Sequence, residues 1–336
     1  MQNQNEIVRA MLKPETYETD PGEIEMIQTH ISYVFLTNNL VFKIKKAVNF
    51  GFLDFSTLEK RRRNCEKELK LNKRLCEDMY LEVVPVNKPN GIRIGGEGET
   101  IEYALKMKKM PQEKIMTKLI EKGEIDEETI KKISKIIADF HVKAETNQEI
   151  SKFGSTSTIE INWNENFEQT REYIDLTIRK EQFELIQSAI KEFIQNNNSI
   201  FEKRVQEGRI RDCHGDIHSG NIFVTKDKIY IFDAIEFNDR FRYSDVASDV
   251  AFLAMDLDFK ERKDLSDILI EKYVEYSGDK ELLQLLTFYK CYRAYVRGKV
   301  VGFKLNDANV EELEKRSCTS VAKAYFNLAT NYASII

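Results

Sequence analysis

Apolar and polar positions alternate along the first hundred residues. The run "EIEMIQTHISYVFLTNNLVFKIKKAV" (23–48) predicts three β segments, the last two joined by a turn at Asn38-Asn39. The spacing then lengthens to a helical period over "LEKRRRNCEKELKLNKRL" (58–75), with Ser56 and Glu59 at capping-box spacing at its start. Short strands return in "LEVVPV", "GIRIGG" and "TIEYALKMKKM". After Pro111 the pattern is helical. Residues 115–120 stop at Gly123, and Asp126 opens a helix with Ile130, Ile133, Ile137 and Phe140 on one face. A helical pair is expected over roughly 165 to 205, striped by Phe167, Ile174 and Ile178 and by Phe183, Ile186, Ile190 and Phe193. Residues 221–232 read as a hairpin turning near Lys226-Asp227, and helices resume from about 245.

This order predicts an α+β protein with a small β-rich lobe (1–107) and a larger helical lobe (108–336). At 336 residues the chain is long for one hydrophobic core. A net charge of -5 argues against general nucleic-acid binding. No apolar run reaches the ~20 residues that cross a bilayer, and "MQNQNEIVRA" lacks the features of a signal peptide. The five cysteines are odd in number, widely spaced and without a CxxC pair, which fits reduced thiols. A cytoplasmic protein with no membrane or nucleic-acid partner is expected; the oligomeric state is not legible.

The densest chemistry lies in "CHGDIHSGNIFV" (213–224), which holds two of the four histidines. Asp216 and Asn221 are five residues apart. A hairpin, "NIFVTKDKIYIF", then leads into Asp233 and should bring Asn221 beside it. A carboxylate and an amide oxygen are hard ligands suited to Mg²⁺ next to phosphates. A separate carboxylate, Asp216, is placed to accept a proton from a hydroxyl. This is the equipment of phosphoryl transfer, which depends mainly on positioning and charge stabilisation. Asp, Asn, Ser and Gly are also ordinary turn residues; only their joint spacing ahead of an apolar hairpin and a second aspartate is constraining.

"HGDIHSGN" followed by "IFD" resembles the catalytic loop and metal-binding segment of the aminoglycoside phosphotransferase family, small-molecule kinases with a protein-kinase-like fold. "THISYVFL", "FGFLDFSTLE", "SDVASDVAFLAMDL" and "YRAYVRGKV" are similar to segments of an uncharacterised bacterial subgroup. The resemblance implies Asp216 as the catalytic carboxylate and Asn221 and Asp233 as ligands of Mg²⁺ against ATP. It favours Lys43 as the phosphate lysine, although Lys45 shares its strand face. Glu68, near the apolar stripe of its helix, is preferred to Glu66 as that lysine's partner. Thr29 and Ser32 are candidates for phosphate contacts in a loop without glycine, and the adenine should sit near Lys108 to Met110. One of Asp245 and Asp249 is expected to brace the catalytic loop.

His214 reads as a packed structural histidine, and His218 as a possible substrate contact. Glu236 falls three positions after the metal aspartate, where many family members have an acid at two, so its part as a second metal or substrate contact is open. The run 59–63 reads as a solvated helix face. Arg293 and Arg297, at i and i+4, either make internal pairs or line a pocket for an anionic acceptor. The implied activity is phosphorylation of a small-molecule hydroxyl, with the acceptor unidentified. Protein phosphorylation, nucleotidyl transfer or a non-catalytic nucleotide-binding regulator are the competing readings.

Overall fold

The computed structural model describes residues 2–88, 90–307 and 310–336. It begins with helix α1 (Gln2–Met11), strands β1 (Glu25–Gln28), β2 (Ser32–Leu36) and β3 (Leu40–Lys45), and helix α2 (Leu58–Cys76). Strands β4 (Tyr80–Lys88), β5 (Arg93–Ile94) and β6 (Glu99–Lys108) follow. Helices α3 (Met116–Glu121), α4 (Glu127–Lys143), α5 (Gln148–Ser151), α6 (Thr156–Thr170), α7 (Lys180–Asn196) and α8 (Asn198–Gln206) come next. The chain continues through β7 (Ile210–Asp212), a hairpin of β8 (Ile222–Val224) and β9 (Ile229–Ile231), α9 (Asp239–Arg242) and β10 (Tyr243–Asp245). It ends with α10 (Val246–Phe259), α11 (Lys263–Ser277), α12 (Leu282–Phe303) and α13 (Glu312–Ala333). Among the described residues no helix is long and apolar enough to cross a membrane.

The chain divides into two compact units, Met1–Lys118 with Gly220–Asp239, and Leu119–Ser219 with Arg240–Ile336. The hairpin 220–239 therefore groups with the sheet rather than with the helices that flank it in sequence. The reason is packing: Phe223 is buried in one cluster with Cys76, Met79, Tyr80, Leu105 and Met107.

In the first unit β1 to β6 form an antiparallel sheet in the order β1-β2-β3-β6-β4-β5, and β8 and β9 pair separately. The alternation of β3 explains the site. Phe42 and Ile44 turn to a core shared with Ile7 and Met11 of α1, whereas Lys43 and Lys45 turn to the opposite face and meet α2. The polar α1 was not expected from the sequence; among its described side chains only Ile7 and Met11 are deeply buried. Helix α2 starts at Thr57, whose hydroxyl accepts from the Lys60 N–H, and not at Ser56. Ser56 is engaged by Asp54, whose Oδ1 takes both its N–H and its hydroxyl.

In the second unit α10 is buried almost throughout, packed by α11 and α12, with α13 against α12. The stretch expected as a helical pair is broken: α6 ends at Thr170, Asp175 adopts a left-handed φ of 64°, and Ile174 and Ile178 pair across that turn. Ile178 is buried there without being helical. Strand β7 pairs with β10 and delivers the chain into the loop at 213–219.

Candidate active site

In the first unit Lys43 Nζ lies 2.8 Å from Glu68 Oε1 and 2.9 Å from Asp233 Oδ1. Glu68 is fully buried, and its other oxygen, Oε2, accepts from Lys45, which also pairs with Glu236. The result is a chain of alternating charge, Asp233–Lys43–Glu68–Lys45–Glu236. Burial alone would raise the Glu68 carboxyl, but the two lysines outweigh it and hold the pKa at about 2. Burial likewise opposes the charge on Lys43, and Asp233 and Glu68 overcome it and raise the lysine well above its ordinary value. Burial dominates at Glu236, whose carboxyl is raised despite Lys45. Removing one member of such a pair strands a buried charge, so the cluster fixes geometry more securely than it adds stability.

Asp233 follows the β8–β9 hairpin, which turns at Thr225–Lys228 as expected. The Phe232 N–H donates to the Asn221 carbonyl, bringing Asn221 to the same end of the hairpin as Asp233. Asp233 has φ 65°, a left-handed conformation that a non-glycine residue holds only when its surroundings enforce it. Two side chains do so. The Asp233 N–H donates to Tyr80 Oη at 3.3 Å, and the Ala234 N–H to Asn72 Oδ1 at 2.9 Å. The Asp233 side chain remains 45% exposed, with Oδ1 on Lys43. Together with the Asn221 amide it offers hard oxygen donors that fit a divalent cation.

In the second unit Gly215 (φ 87°) bends the 213–219 loop so that the His214 and Gly215 N–H groups both donate to Asp249, each at 2.9 Å. Asp249 is fully buried and also meets His141 Nε2 at 3.2 Å. The Ser219 N–H donates to Asp256 Oδ2 at 2.8 Å, anchoring the far end. Arg293 donates to the Gly215 carbonyl at 3.0 Å and to the Ser248 carbonyl at 3.1 Å. His218 Nε2 is 3.6 Å from Asp216 Oδ2, its ring packed on Phe252. Burial pushes the Asp216 carboxyl up, but His218, then Arg297 and His214, outweigh it and hold the pKa at about 2.

The remaining sequence candidates separate. Glu66 pairs on the surface with Arg62, which leaves Glu68 as the partner of Lys43. Arg61, in the run expected to be solvated, is buried against Glu102. The Thr29 hydroxyl closes its own turn by accepting from the Ser32 N–H, although Thr29 is exposed, whereas Ser32 is fully buried and its hydroxyl does not face outward. Met110 packs beside the Phe223 cluster, its carbonyl taken by the Gln112 amide. Glu236, considered as an outward metal or substrate contact, is 4% exposed and tied to Lys45. Arg293 is withdrawn from any pocket by burial and its backbone acceptors, whereas Arg297 lies near Asp216 and Tyr325. Asn72 and Tyr80 were missed because neither belongs to a recognisable motif. The placement of Asn72, one turn after Glu68 on α2, was the only available signal.

The model of the phosphotransferase enzyme family matches residues 37–284. The uncharacterized proteins Rv2004c of Mycobacterium tuberculosis H37Rv and Mb2027c of Mycobacterium bovis are each 34% identical over 282 residues, 84% of this chain and 55% of theirs. The chain thus spans about half the length of these curated relatives. Among solved structures, a choline/ethanolamine kinase family protein from Mesorhizobium loti covers all of both chains at TM-score 0.54 and 11% identity. Choline kinase from Cryptosporidium parvum Iowa II aligns at TM-score 0.55 and 12% identity, over 93% of this chain and 89% of its own. Amicoumacin kinase hAmiN, solved with AMP-PNP, Ca²⁺ and Ami, aligns at 0.51 and 12%, over 97% and 94%. At these identities the structures establish a shared kinase-like fold.

Proposed function

The chain belongs to the phosphotransferase enzyme family, and from that membership we propose that it transfers a phosphoryl group from Mg²⁺·ATP to a hydroxyl of a small molecule. The observation that carries this reading is Lys43 held between Glu68 and Asp233, in a chain whose Asp216 and Asn221 stand at catalytic-loop spacing. The AMP-PNP and Ca²⁺ held by amicoumacin kinase support a nucleotide and a divalent cation here as well.

In this reading Asn221 and Asp233 hold Mg²⁺, which when bound would offset charge on the phosphate oxygens. Lys43 holds the nucleotide phosphates and Glu68 holds Lys43. Asp216 orients the acceptor hydroxyl. A carboxyl held at about pKa 2 is a weak base, so Asp216 serves chiefly to align the oxygen and to receive its proton late. That suits a transfer in which little negative charge builds on the attacking oxygen. Asp249 and Arg293 keep the loop in the conformation that presents Asp216.

The test is transfer of the γ-phosphate of ATP, with and without Mg²⁺, to a panel of hydroxyl compounds. Mg²⁺-dependent transfer that disappears in Asp233→Ala supports the reading. Equal transfer with chelator present, or full turnover in that variant, overturns it.

A further inference from the structure

Behind Asp249, a chain of hydrogen bonds runs through the helical unit to a residue with no part in the chemistry above. Asp249 Oδ2 meets His141 Nε2 at 3.2 Å, and His141 Nδ1 lies 2.8 Å from the Tyr273 hydroxyl. The three side chains come from α10, α4 and α11, and none is more than 3% exposed. Two further contacts hold these parts in place. The rings of Tyr273 and His141 meet edge-on, with centroids 5.6 Å apart. One turn before Tyr273, the Leu269 carbonyl accepts from the Ser134 hydroxyl at 3.2 Å, which sets the register of α11 on α4.

The two ends of the chain determine where its protons sit. Burial opposes the charge on Asp249, but His141, then His214 and Arg293, hold its carboxyl below the usual carboxylate range. An ionised carboxylate only accepts, so the shared proton sits on His141 Nε2. Burial raises the Tyr273 phenol well above its ordinary value, so the hydroxyl keeps its proton and donates. In the neutral imidazole Nδ1 is bare, and the phenol is the donor that meets it. Cys213 belongs to the same cluster, its Sγ within 4.8 Å of a His141 nitrogen and an Asp249 oxygen. Burial keeps that thiol protonated, and it donates to the Ser244 carbonyl at 3.4 Å. The donor atoms of this cluster are thus turned to internal partners rather than to a shared metal ion.

Loss of the phenol removes the hydrogen bond that selects the Nε2–H tautomer. In the other tautomer a bare Nε2 faces the Asp249 carboxylate, acceptor against acceptor, and the same Oδ2 is the oxygen that takes the His214 N–H. We propose that Tyr273 is a positioning residue for phosphoryl transfer: its hydroxyl fixes the tautomer of His141, which orients Asp249 to clamp the His214 and Gly215 amides just before Asp216. The proposal rests on the kinase reading above and extends it to a residue three hydrogen bonds away from the catalytic loop.

Tyr273→Phe keeps the ring and removes only the hydroxyl. Ser134→Ala removes the neighbouring α4–α11 hydrogen bond and leaves the relay intact, so it controls for weakened packing. The full chain, ¹⁵N-labelled in its four histidines and its backbone amides, is studied by NMR and hydrogen exchange. Wild type should show His141 protonated at Nε2, with slow exchange at the His214 and Gly215 amides. In Tyr273→Phe both amides should exchange about tenfold faster or more, the worth of one buried hydrogen bond; in Ser134→Ala they should not. Mg²⁺-dependent ATP turnover, to an accepted hydroxyl compound or to water, is measured on the same proteins. In Tyr273→Phe alone kcat should fall about tenfold with little change in the KM for Mg²⁺·ATP, because the loop and not the nucleotide has lost support. Amides as protected in Tyr273→Phe as in wild type overturn the proposal, as does a wild-type His141 protonated at Nδ1. Equal losses in Ser134→Ala, or loosened amides with an unchanged kcat, overturn it too. Wild type without Mg²⁺-dependent turnover, with the amides loosened in Tyr273→Phe alone, would instead refute the kinase reading and leave the clamp standing.

Discussion

Asp216 combines a partly exposed side chain with an unusually acidic carboxyl, and the two together bear on its proposed role. Its pKa of about 2 results from His218, Arg297 and His214 prevailing over burial, so the group stays ionised throughout the physiological range. Asp216→Ala is expected to lower kcat by about 10²–10⁴-fold, the usual worth of a positioned acid–base group. Affinity for an ATP analogue, measured by calorimetry, should change little. His218→Ala removes the strongest of the forces that depress this pKa, so the acidic limb of the rate profile should move to higher pH. A limb that stays in place would mean that another group sets it. Much at this scale was legible because the residues sit at fixed spacings: Asp216, Asn221 and Asp233 are read from the chain alone. Lys43 and Lys45 were not separable, since both lie on one strand face, and the structure shows why the ambiguity was real. Glu68 binds both, and only Lys43 reaches Asp233.

The element that shapes the Lys43–Asp233 end of the candidate site is α2 rather than the hairpin that carries the aspartate. Glu68 and Asn72 stand one helical turn apart, the first holding the lysines and the second accepting the Ala234 N–H. The turn that gives Asp233 its left-handed backbone is thereby fastened to the helix. Asn72→Leu leaves the Ala234 N–H unsatisfied inside the protein, at a cost of about 1–3 kcal/mol. Chemical denaturation should register that loss, and the KM for Mg²⁺·ATP should rise because Asp233 is no longer held. Asn72→Asp retains an acceptor oxygen and should recover most of the KM effect; a variant as impaired as leucine would detach Asn72 from this role. Most strands and helices could be read from periodicity, since their buried faces are regular. The exceptions have local causes. Helix α1 shows too little apolar surface to announce itself, and the break after α6 depends on Asp175 in a conformation that hydrophobic spacing does not report.

Both units hold ionised carboxylates whose pKa is depressed by neighbouring cations, and this couples the whole molecule to acid. Glu68 in the first unit and Asp216 in the second are held at about 2, and Asp249 is lowered further by His141 and its neighbours, each against the opposing effect of burial. A group whose folded pKa is depressed contributes stability that is present above its unfolded value and is lost as pH falls toward the folded value. For Glu68 that window runs from the ordinary 4.5 down to about 2. Glu236 acts in the opposite sense: its raised carboxyl takes up a proton more readily in the folded protein, so its protonation offsets part of the loss. Tm measured against pH should therefore fall from about pH 4.5 downward, with carboxylates of both units contributing. Lys45→Met gives the sharper test, because it removes a partner from Glu68 and from Glu236 together. Both carboxyls then titrate at higher pH. For Glu68 this erodes the stability held by its ionised form, so Tm at neutral pH should drop while the fall below about pH 4.5 becomes shallower. A variant with a lower Tm but an equally steep acid fall would show that Lys45 supports the fold without governing the ionisation of Glu68, and the alternating charge chain would no longer account for the acid response.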